Sequence, residues 1–167
     1  MNLKTLFDRQ RDLDQNIIES KKLIPSTLFS RKILALLVEL GEGINEWGAF
    51  KFWSNDQIPR RDELLEEIVD FLHFILSLGI EYKYEILAIN CIAIPVENDF
   101  ETDITNSFIM LYHRITLFYI TRSATNYCYV FQSLVDLIHD IGFKWEEVEE
   151  AYENKNRINH LRQAEGY

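Results

Sequence analysis

Apolar side chains recur at helical spacing along most of this chain, and this pattern limits the folds open to it. In the first segment, Leu3, Leu6 and Phe7 begin an apolar face that continues to about Lys22, before Pro25 redirects the backbone. Only six Gly and three Pro interrupt the 167 residues, which favours a few long helices over many strands joined by turns. We therefore predict an all-α fold, a compact multi-helix bundle.

Further helices are predicted along the rest of the chain. Ser26 or Thr27 can cap a second helix that reaches about Trp47, and the aperiodic stretch 49–60 should be a loop. Residues 84–94 are ambiguous between helix and strand, and the surrounding pattern favours a helix. The remaining predicted helices lie at about 61–79, 108–119, 129–141 and 145–152.

The length of the chain and one apolar helix bear on its organisation. A chain of 167 residues can bury one substantial core but is too short for two, so residues 1–167 should form a single domain. The helix at 108–119 is apolar on several faces, because Ile109 and Leu117 lie outside the stripe that Phe108 begins. A large exposed apolar face is unusual on a monomer, so we expect a homodimer.

The charge balance restricts the partners that the chain can bind. The net charge of −10 repels nucleic acid and anionic lipid, so a polyanion must meet a local cluster of Lys and Arg or a metal ion. We therefore expect no nucleic acid or membrane partner. The first residues alternate apolar with charged side chains, unlike a secretory signal, and no apolar run is long enough to span a bilayer. The cytoplasm is the expected location.

The two cysteines do not indicate a zinc site or a framework of disulfides. Cys91 and Cys128 lie in apolar or aromatic surroundings and have no His or Cys at the spacing typical of zinc ligands. We expect them to be buried free thiols.

Two pairs of acidic residues are the strongest indication of chemistry. Glu39 and Glu42 are three residues apart, as are Glu67 and Asp70, so each pair projects from one helix face. Such pairs are common on solvated faces, but Glu39 and Asp70 lie among apolar residues, where a charge needs a partner. Four clustered carboxylates favour a hard divalent cation such as Mg²⁺. Glu46, one turn further on, is equally well read as a fifth ligand, a base or a surface acid.

The loop after the first acid pair and one histidine offer groups that could contact a substrate. Lys51 could meet a phosphate there and Trp53 could stack on a base or sugar, with Ser54 beside them. A core Trp with a solvated Lys is the simpler reading of the loop taken alone. His73 follows Asp70 by three residues and could bind substrate, although a single His in an apolar helix is more often a core residue.

The polar end of the chain concentrates hydrogen-bond donors. Lys155, Asn159 and Arg162 are spaced by four and three residues, so one helix face would carry all three. In an acidic protein this set is typical of a phosphate clamp, with Arg able to grip bidentately and Lys as a mobile charge. The alternative is a basic helix end that complements its own dipole.

These motifs together resemble one known family. The matching stretches are Glu39-Leu-Gly-Glu42, Asn45-Glu46-Trp47, Phe50-Lys51-Phe52-Trp53-Ser54, the segment from Glu67-Ile-Val-Asp70 to Gly79, and the ending with Lys155, Asn159, Arg162, Gln163 and Tyr167. The chain resembles the dimeric, all-α dUTP diphosphatases, relatives of the MazG-like pyrophosphohydrolases. The acid pairs are shared across the wider superfamily, whereas the aromatic loop and the ending are more specific to the dUTP branch.

The resemblance implies a role for each group of residues. Two or more Mg²⁺ ions, which Mn²⁺ could replace, would be bound by Glu39, Glu42, Glu67 and Asp70. Phosphate would be held by Lys155, Arg162 and Tyr167. The nucleoside pocket would be lined by Gln10, Asp14, Trp53, His73 and Asn159.

The implied reaction is attack of a metal-activated water on a phosphorus of dUTP, and also of dUDP, to give dUMP. Glu42 or Glu46 could accept the proton of the water, and the sequence does not choose between them. Two other functions remain open at this stage. The first is hydrolysis of a different nucleotide such as dCTP by a MazG-like enzyme. The second is an acidic helical module that binds a regulatory or other protein partner.

Overall fold

Helices account for nearly all of the regular structure. The computed structural model describes residues 1–95 and 103–166, and within these ranges it contains seven α-helices, one 3-10 turn and no strand. The all-α prediction is confirmed. The elements are α1 (Leu3–Lys21), a 3-10 turn (Pro25–Thr27), α2 (Phe29–Trp47), α3 (Arg61–Tyr82), α4 (Glu85–Cys91), α5 (Ile104–Thr121), α6 (Ala124–Asp140) and α7 (Trp145–Ala164).

The helix positions agree with the apolar periodicity, and the differences concern the ends. The ambiguous stretch 84–94 forms α4, and 49–60 has no helix, as predicted. The predicted cap at Ser26 or Thr27 is wrong, because these residues form the 3-10 turn and α2 starts after Leu28. The helix α6 starts five residues earlier than predicted, because the Ser123 side chain accepts a hydrogen bond from the Asn126 amide.

The helices α2 and α3 form the centre of the molecule and run in opposite directions. A Cβ atom at Gly43 would lie 3.6 Å from the Cβ of Glu67 and 3.7 Å from Cδ1 of Leu64, so a small residue at this position keeps the two helices close. Both helices pack into one cluster of buried side chains to which the other helices contribute. The close pairing of α2 and α3 brings the two acid pairs of the sequence face to face.

The central part of α3 is held by a buried tyrosine. The hydroxyl of Tyr127 on α6 donates to the carbonyl oxygen of Ile75 at 3.0 Å, and the ring lies over Gly79. A Cβ atom at Gly79 would come within 2.8 Å of Cζ of Tyr127 and 3.0 Å of Cε1 of Phe7. Only glycine therefore fits between these two aromatic rings.

The helix α5 has two apolar faces, as the sequence predicts, and only one of them is covered. Phe108 and Leu111 are buried, whereas the side chains of Ile109 and Ile120 are 57% and 70% exposed. No helix in the described part of the chain is long and apolar enough to cross a membrane.

The cysteine prediction needs a correction. Both cysteines are free, but Cys91 is exposed and Cys128 is half-buried. Cys91 is the last residue of a seven-residue helix at the surface, and such a short helix shields its final turn poorly.

Candidate active site

Three carboxylates meet where α2 and α3 face each other. One oxygen each from Glu39, Glu67 and Asp70 lie within 4.8 Å of one another, and all three residues are half-buried. Glu39 lies on α2 and the other two on α3, so the antiparallel pairing around Gly43 creates the cluster. Carboxylate oxygens at this spacing could hold a hard divalent cation. We refer to Glu39, Glu67 and Asp70 as the acid cluster.

The electrostatics of the acid cluster favour a bound cation. Burial, and after it the neighbouring carboxylates of Asp70, Glu42 and Glu67, raise the pKa of Glu39 from 4.5 to about 7. Burial is also the largest cause of the raised pKa of Glu67 and of Asp70. The protein itself therefore compensates these negative charges only partly, and a divalent cation would complete the compensation.

The C-terminal helix brings a cation to the acid cluster. The Nζ atom of Lys155 on α7 lies 2.7 Å from Oδ2 of Asp70 and lowers the pKa of that carboxyl, against the larger effect of burial. The charge of Arg162, two turns further along α7, also lowers the pKa of Asp70. The structure thus places two residues of the predicted phosphate clamp on the side of α7 that meets the acid cluster.

The two candidate bases differ in their surroundings. Glu42 is exposed and outside the acid cluster, but its charge raises the pKa of Glu39 and of Glu67, so it lies at the edge of the cluster. Glu46 forms an ion pair with Arg60 at 2.6 Å, which ties the end of α2 to the start of α3. The carboxylate of Glu46 is therefore already engaged by an arginine, whereas that of Glu42 faces solvent beside the acid cluster.

A cavity of about 260 Å³ lies beside the acid cluster, between α1, α2, α3 and α7. Among the residues lining it are Gln10, Asp14, His73, Phe74, Ser77 and Asn159. His73 follows Asp70 by one turn of α3, and Asn159 follows Lys155 by one turn of α7. The cavity therefore opens about one helical turn from the acid cluster, with four of the predicted nucleoside-binding residues along its wall.

A chain of hydrogen bonds fixes the polar groups at the wall of this cavity. The Oγ atom of Ser77 donates to Oδ2 of Asp14 at 2.5 Å, and Nε2 of Gln10 donates to Oδ1 of Asp14 at 2.7 Å. The hydroxyl of Tyr152, which is buried on α7, donates to Oε1 of Gln10 at 2.9 Å. Because the carboxylate of Asp14 accepts from the amide nitrogen of Gln10, the amide oxygen of Gln10 must face the other way.

These bonds also determine which nitrogen of His73 carries the proton. The Nδ1 atom of His73 lies 2.7 Å from Oε1 of Gln10, which is an acceptor, so Nδ1 is the donor. Burial and the charge of Lys155 lower the pKa of His73 to about 3, and the ring is therefore neutral. Its Nε2 atom carries a lone pair and is buried without a hydrogen-bond partner among the described residues.

The aromatic loop does not reach the cavity in this structure. The side chain of Trp53 is 67% exposed and packs against the rings of Phe50 and Phe52. The Nζ atom of Lys51 donates to the Asn45 carbonyl at 3.2 Å, while the Oγ atom of Ser54 accepts from a backbone amide within the loop. The structure therefore does not bring Lys51, Trp53 and Ser54 together with the pocket residues. The predicted phosphate-binding residue Tyr167 lies outside the described residues.

Two residues of the cavity network were not predicted from the sequence. Ser77 follows His73 by four residues on α3, and Tyr152 precedes Lys155 by three on α7. Extending each predicted helix face by one further turn would have found both. Nothing in the sequence indicates that these faces of α3 and α7 are joined by hydrogen bonds through Gln10 of α1.

A sequence model of the family described as dUTPase matches residues 2–167. The chain belongs to this family. The resemblance seen in the motifs is confirmed, and family membership implies a hydrolase with a nucleotide substrate. A search of curated proteins finds no match.

Proposed function

We propose that this chain hydrolyses dUTP, and also dUDP, to dUMP, with Mg²⁺ bound at the acid cluster and Mn²⁺ as a substitute. The observation that carries the proposal is the position of the acid cluster beside the 260 Å³ cavity. This arrangement gives a site for phosphate chemistry next to a pocket for a nucleoside. The dUTPase family match over residues 2–167 supports the same substrate.

The donor set of the acid cluster fits magnesium. Glu39, Glu67 and Asp70 would supply oxygen ligands, and Glu42 at the edge of the cluster would complete the set of four predicted ligands. When bound, magnesium would lower the pKa of the attacking water and neutralise charge on the phosphoryl oxygens.

The chain's own groups would divide the remaining tasks between them. The carboxylate oxygen of Glu42 that does not bind the metal would accept the proton of the attacking water, because the alternative base Glu46 is already paired with Arg60. Lys155 would exchange its contact with Asp70 for one with a phosphate oxygen once a metal ion neutralises that carboxylate. Arg162 and Tyr167 would hold the outer phosphates, and Asn159 would contact the nucleoside from the wall of the cavity.

The fixed tautomer of His73 favours uracil over cytosine in the cavity. The lone pair on Nε2 would accept a hydrogen bond from the N3–H group of a uracil base. Cytosine has a lone pair at the same position, so two acceptors would meet and both would stay unpaired. Phe74, which is half-buried at the wall, would cover the base with an apolar surface.

We also propose that the protein is a homodimer that acts in the cytoplasm. The outer face of α5 supports the first part, because Ile109 and Ile120 together with Leu34 of α2 leave large apolar side chains exposed. The second part rests on the substrate, since dUTP belongs to the cytoplasmic nucleotide pool. The described residues do not indicate a regulatory protein partner.

The experiment that tests the proposal measures pyrophosphate release from dUTP, dCTP, dTTP, dATP and dGTP, with and without Mg²⁺. We expect turnover of dUTP that needs Mg²⁺, and its loss in Glu39→Gln and Asp70→Asn. The control is Glu63→Gln, which removes an exposed carboxylate of α3 outside the acid cluster. Release of pyrophosphate from dUTP that persists in either cluster variant would contradict the site.

A binding measurement separates the enzyme from a helical interaction module. With Mg²⁺ present, a non-hydrolysable dUTP analogue at about 100 times its Kd should stabilise the fold by about 2.7 kcal/mol. The dCTP analogue should give a much smaller rise in Tm. Equal stabilisation by both analogues would overturn the role of His73, and no stabilisation by either would overturn the proposed substrate class.

A further inference from the structure

The two cysteines of the chain meet at the surface, on helices that carry none of the residues proposed for the site. Cys91 ends α4, and Cys128 lies in the second turn of α6. Their Sγ atoms are 3.2 Å apart, and both are free thiols. A disulfide bond needs a separation of about 2.05 Å, so a movement of about 1 Å would join them.

The backbone around Cys91 is held against α6 by a second pair of contacts. The side chain of Gln132, one turn after Cys128, donates from Nε2 to the Ala93 carbonyl at 2.8 Å. Its Oε1 atom accepts from the Ala93 amide at 3.0 Å. Between Cys91 and Ala93, the side chain of Ile92 is buried in the core. The thiols are therefore held near each other by contacts that do not depend on them.

The surroundings of the two thiols assign them different chemical roles. Cys91 is exposed, so a small molecule in solution can reach its sulfur atom. Cys128 is half-buried, and burial, with the hydrogen bond to Cys91, raises its pKa to about 12. The nucleophile in thiol–disulfide exchange is the thiolate, so Cys91 is the residue that reacts first.

We propose that Cys91 and Cys128 form a reversible intramolecular disulfide by exchange with a low-molecular-weight disulfide such as oxidised glutathione. The thiolate of Cys91 attacks one sulfur of the oxidant, the S–S bond of the oxidant breaks, and one thiol is released. Cys128 then loses its proton to solvent and attacks the Sγ atom of Cys91, which releases the second thiol. Two protein thiols are oxidised in total, and one disulfide is reduced to two thiols.

The disulfide would fasten the C-terminal end of α4, the shortest α-helix in the described part of the chain. Apart from its packing, α4 is held by an ion pair between Glu85 and Arg11 of α1 and by the Gln132 clamp. A bond between residues 91 and 128 closes a loop that includes all of α5 and restricts the unfolded chain. We expect oxidation to raise the Tm by roughly 10 °C. No residue proposed for catalysis lies on α4 or α6, so turnover of dUTP should stay unchanged.

The test treats the full chain with oxidised glutathione, blocks the remaining thiols with iodoacetamide under denaturing conditions, and measures the intact mass. The expected wild-type product has lost two hydrogen atoms, carries no glutathione and takes up no alkyl group. Cys128→Ser should keep a glutathione molecule on Cys91, while Cys91→Ser should keep one free thiol. Reduction with a phosphine should restore the starting mass and Tm.

Three results would overturn the inference. They are a wild-type chain that accumulates glutathione and keeps one alkylated thiol, a chain whose cysteines both stay alkylated, and disulfide-linked pairs of chains. Cys91→Ser changes an exposed side chain and cannot form the disulfide. If the Tm rises on oxidation in the wild type but not in this variant, the rise comes from the disulfide. None of these results depends on the substrate of the enzyme.

Discussion

Lowering the pH from 8 to 6 should weaken magnesium binding at the acid cluster, because Glu39 must lose its proton to act as a ligand. Burial and three neighbouring carboxylates raise the pKa of this side chain from 4.5 to about 7. A metal ion and a proton therefore compete for the same carboxylate within the physiological pH range.

The size of the effect follows from the pKa of about 7 for Glu39. About 9% of the side chain is ionised at pH 6 and about 91% at pH 8, so the apparent affinity for Mg²⁺ should fall roughly tenfold between pH 8 and pH 6. Binding should also release close to one proton at pH 6 and almost none at pH 8.

The stability of the metal-free protein should change in the opposite sense. A carboxyl whose pKa is higher in the folded than in the unfolded chain contributes its full stability below the unfolded pKa of about 4.5, where both states are protonated. That contribution is lost as the pH rises from 4.5 towards 7. Added Mg²⁺ should therefore stabilise the protein more at pH 8 than at pH 6.

The assay is isothermal titration calorimetry of Mg²⁺ into the nucleotide-free protein at pH 6, 7 and 8 and constant ionic strength. Two buffers with different ionisation enthalpies count the released protons. Glu39→Gln should bind Mg²⁺ more weakly and lose most of the pH dependence, whereas Glu63→Gln should behave like the wild type. A wild-type affinity for Mg²⁺ that is equal at pH 6 and pH 8 would refute the idea that a raised pKa of Glu39 controls metal binding.

Three further predictions concern the core, the phosphate clamp and the subunit interface. Gly79→Ala should lower the free energy of unfolding in urea by about 1–3 kcal/mol, because the new methyl group meets the buried ring of Tyr127. Lys155→Met should raise the KM for dUTP on the order of tenfold in steady-state kinetics, since it removes a charged donor beside Asp70; an unchanged KM would exclude a phosphate contact. Ile120→Glu should give a monomer by light scattering with an unchanged circular dichroism spectrum, and a dimer that persists would place the interface elsewhere.

Local patterns accounted for the helices and for the helix faces that carry the acidic residues. The spacing of apolar residues predicted α1 and α3 within three residues of their ends, because helix formation depends on neighbours three and four positions apart. The same spacing placed Glu67 and Asp70 on one face of α3. Helix starts were predicted less well, since a cap such as Ser123 is a single residue with no period.

The sequence predicted less well which of the site residues lie close together in the fold. Four acids in two equivalent pairs were predicted as ligands, yet the structure gathers Glu39, Glu67 and Asp70 and leaves Glu42 exposed at the edge. The rotation of α2 against α3 decides this difference, and that rotation depends on the packing around Gly43 rather than on either pair of acids.

By itself, the sequence determined the fold class, the family and the two helix faces that carry the acids, because each depends on residues close together in the chain. Only the tertiary structure decided the tautomer of His73, which depends on Gln10 and on Tyr152, and the approach of Cys91 to Cys128. These partners are separated by 37 to 142 positions in the chain. Their contacts arise from how α1, α3, α4, α6 and α7 pack, and periodicity within one helix carries no information about the distance to another.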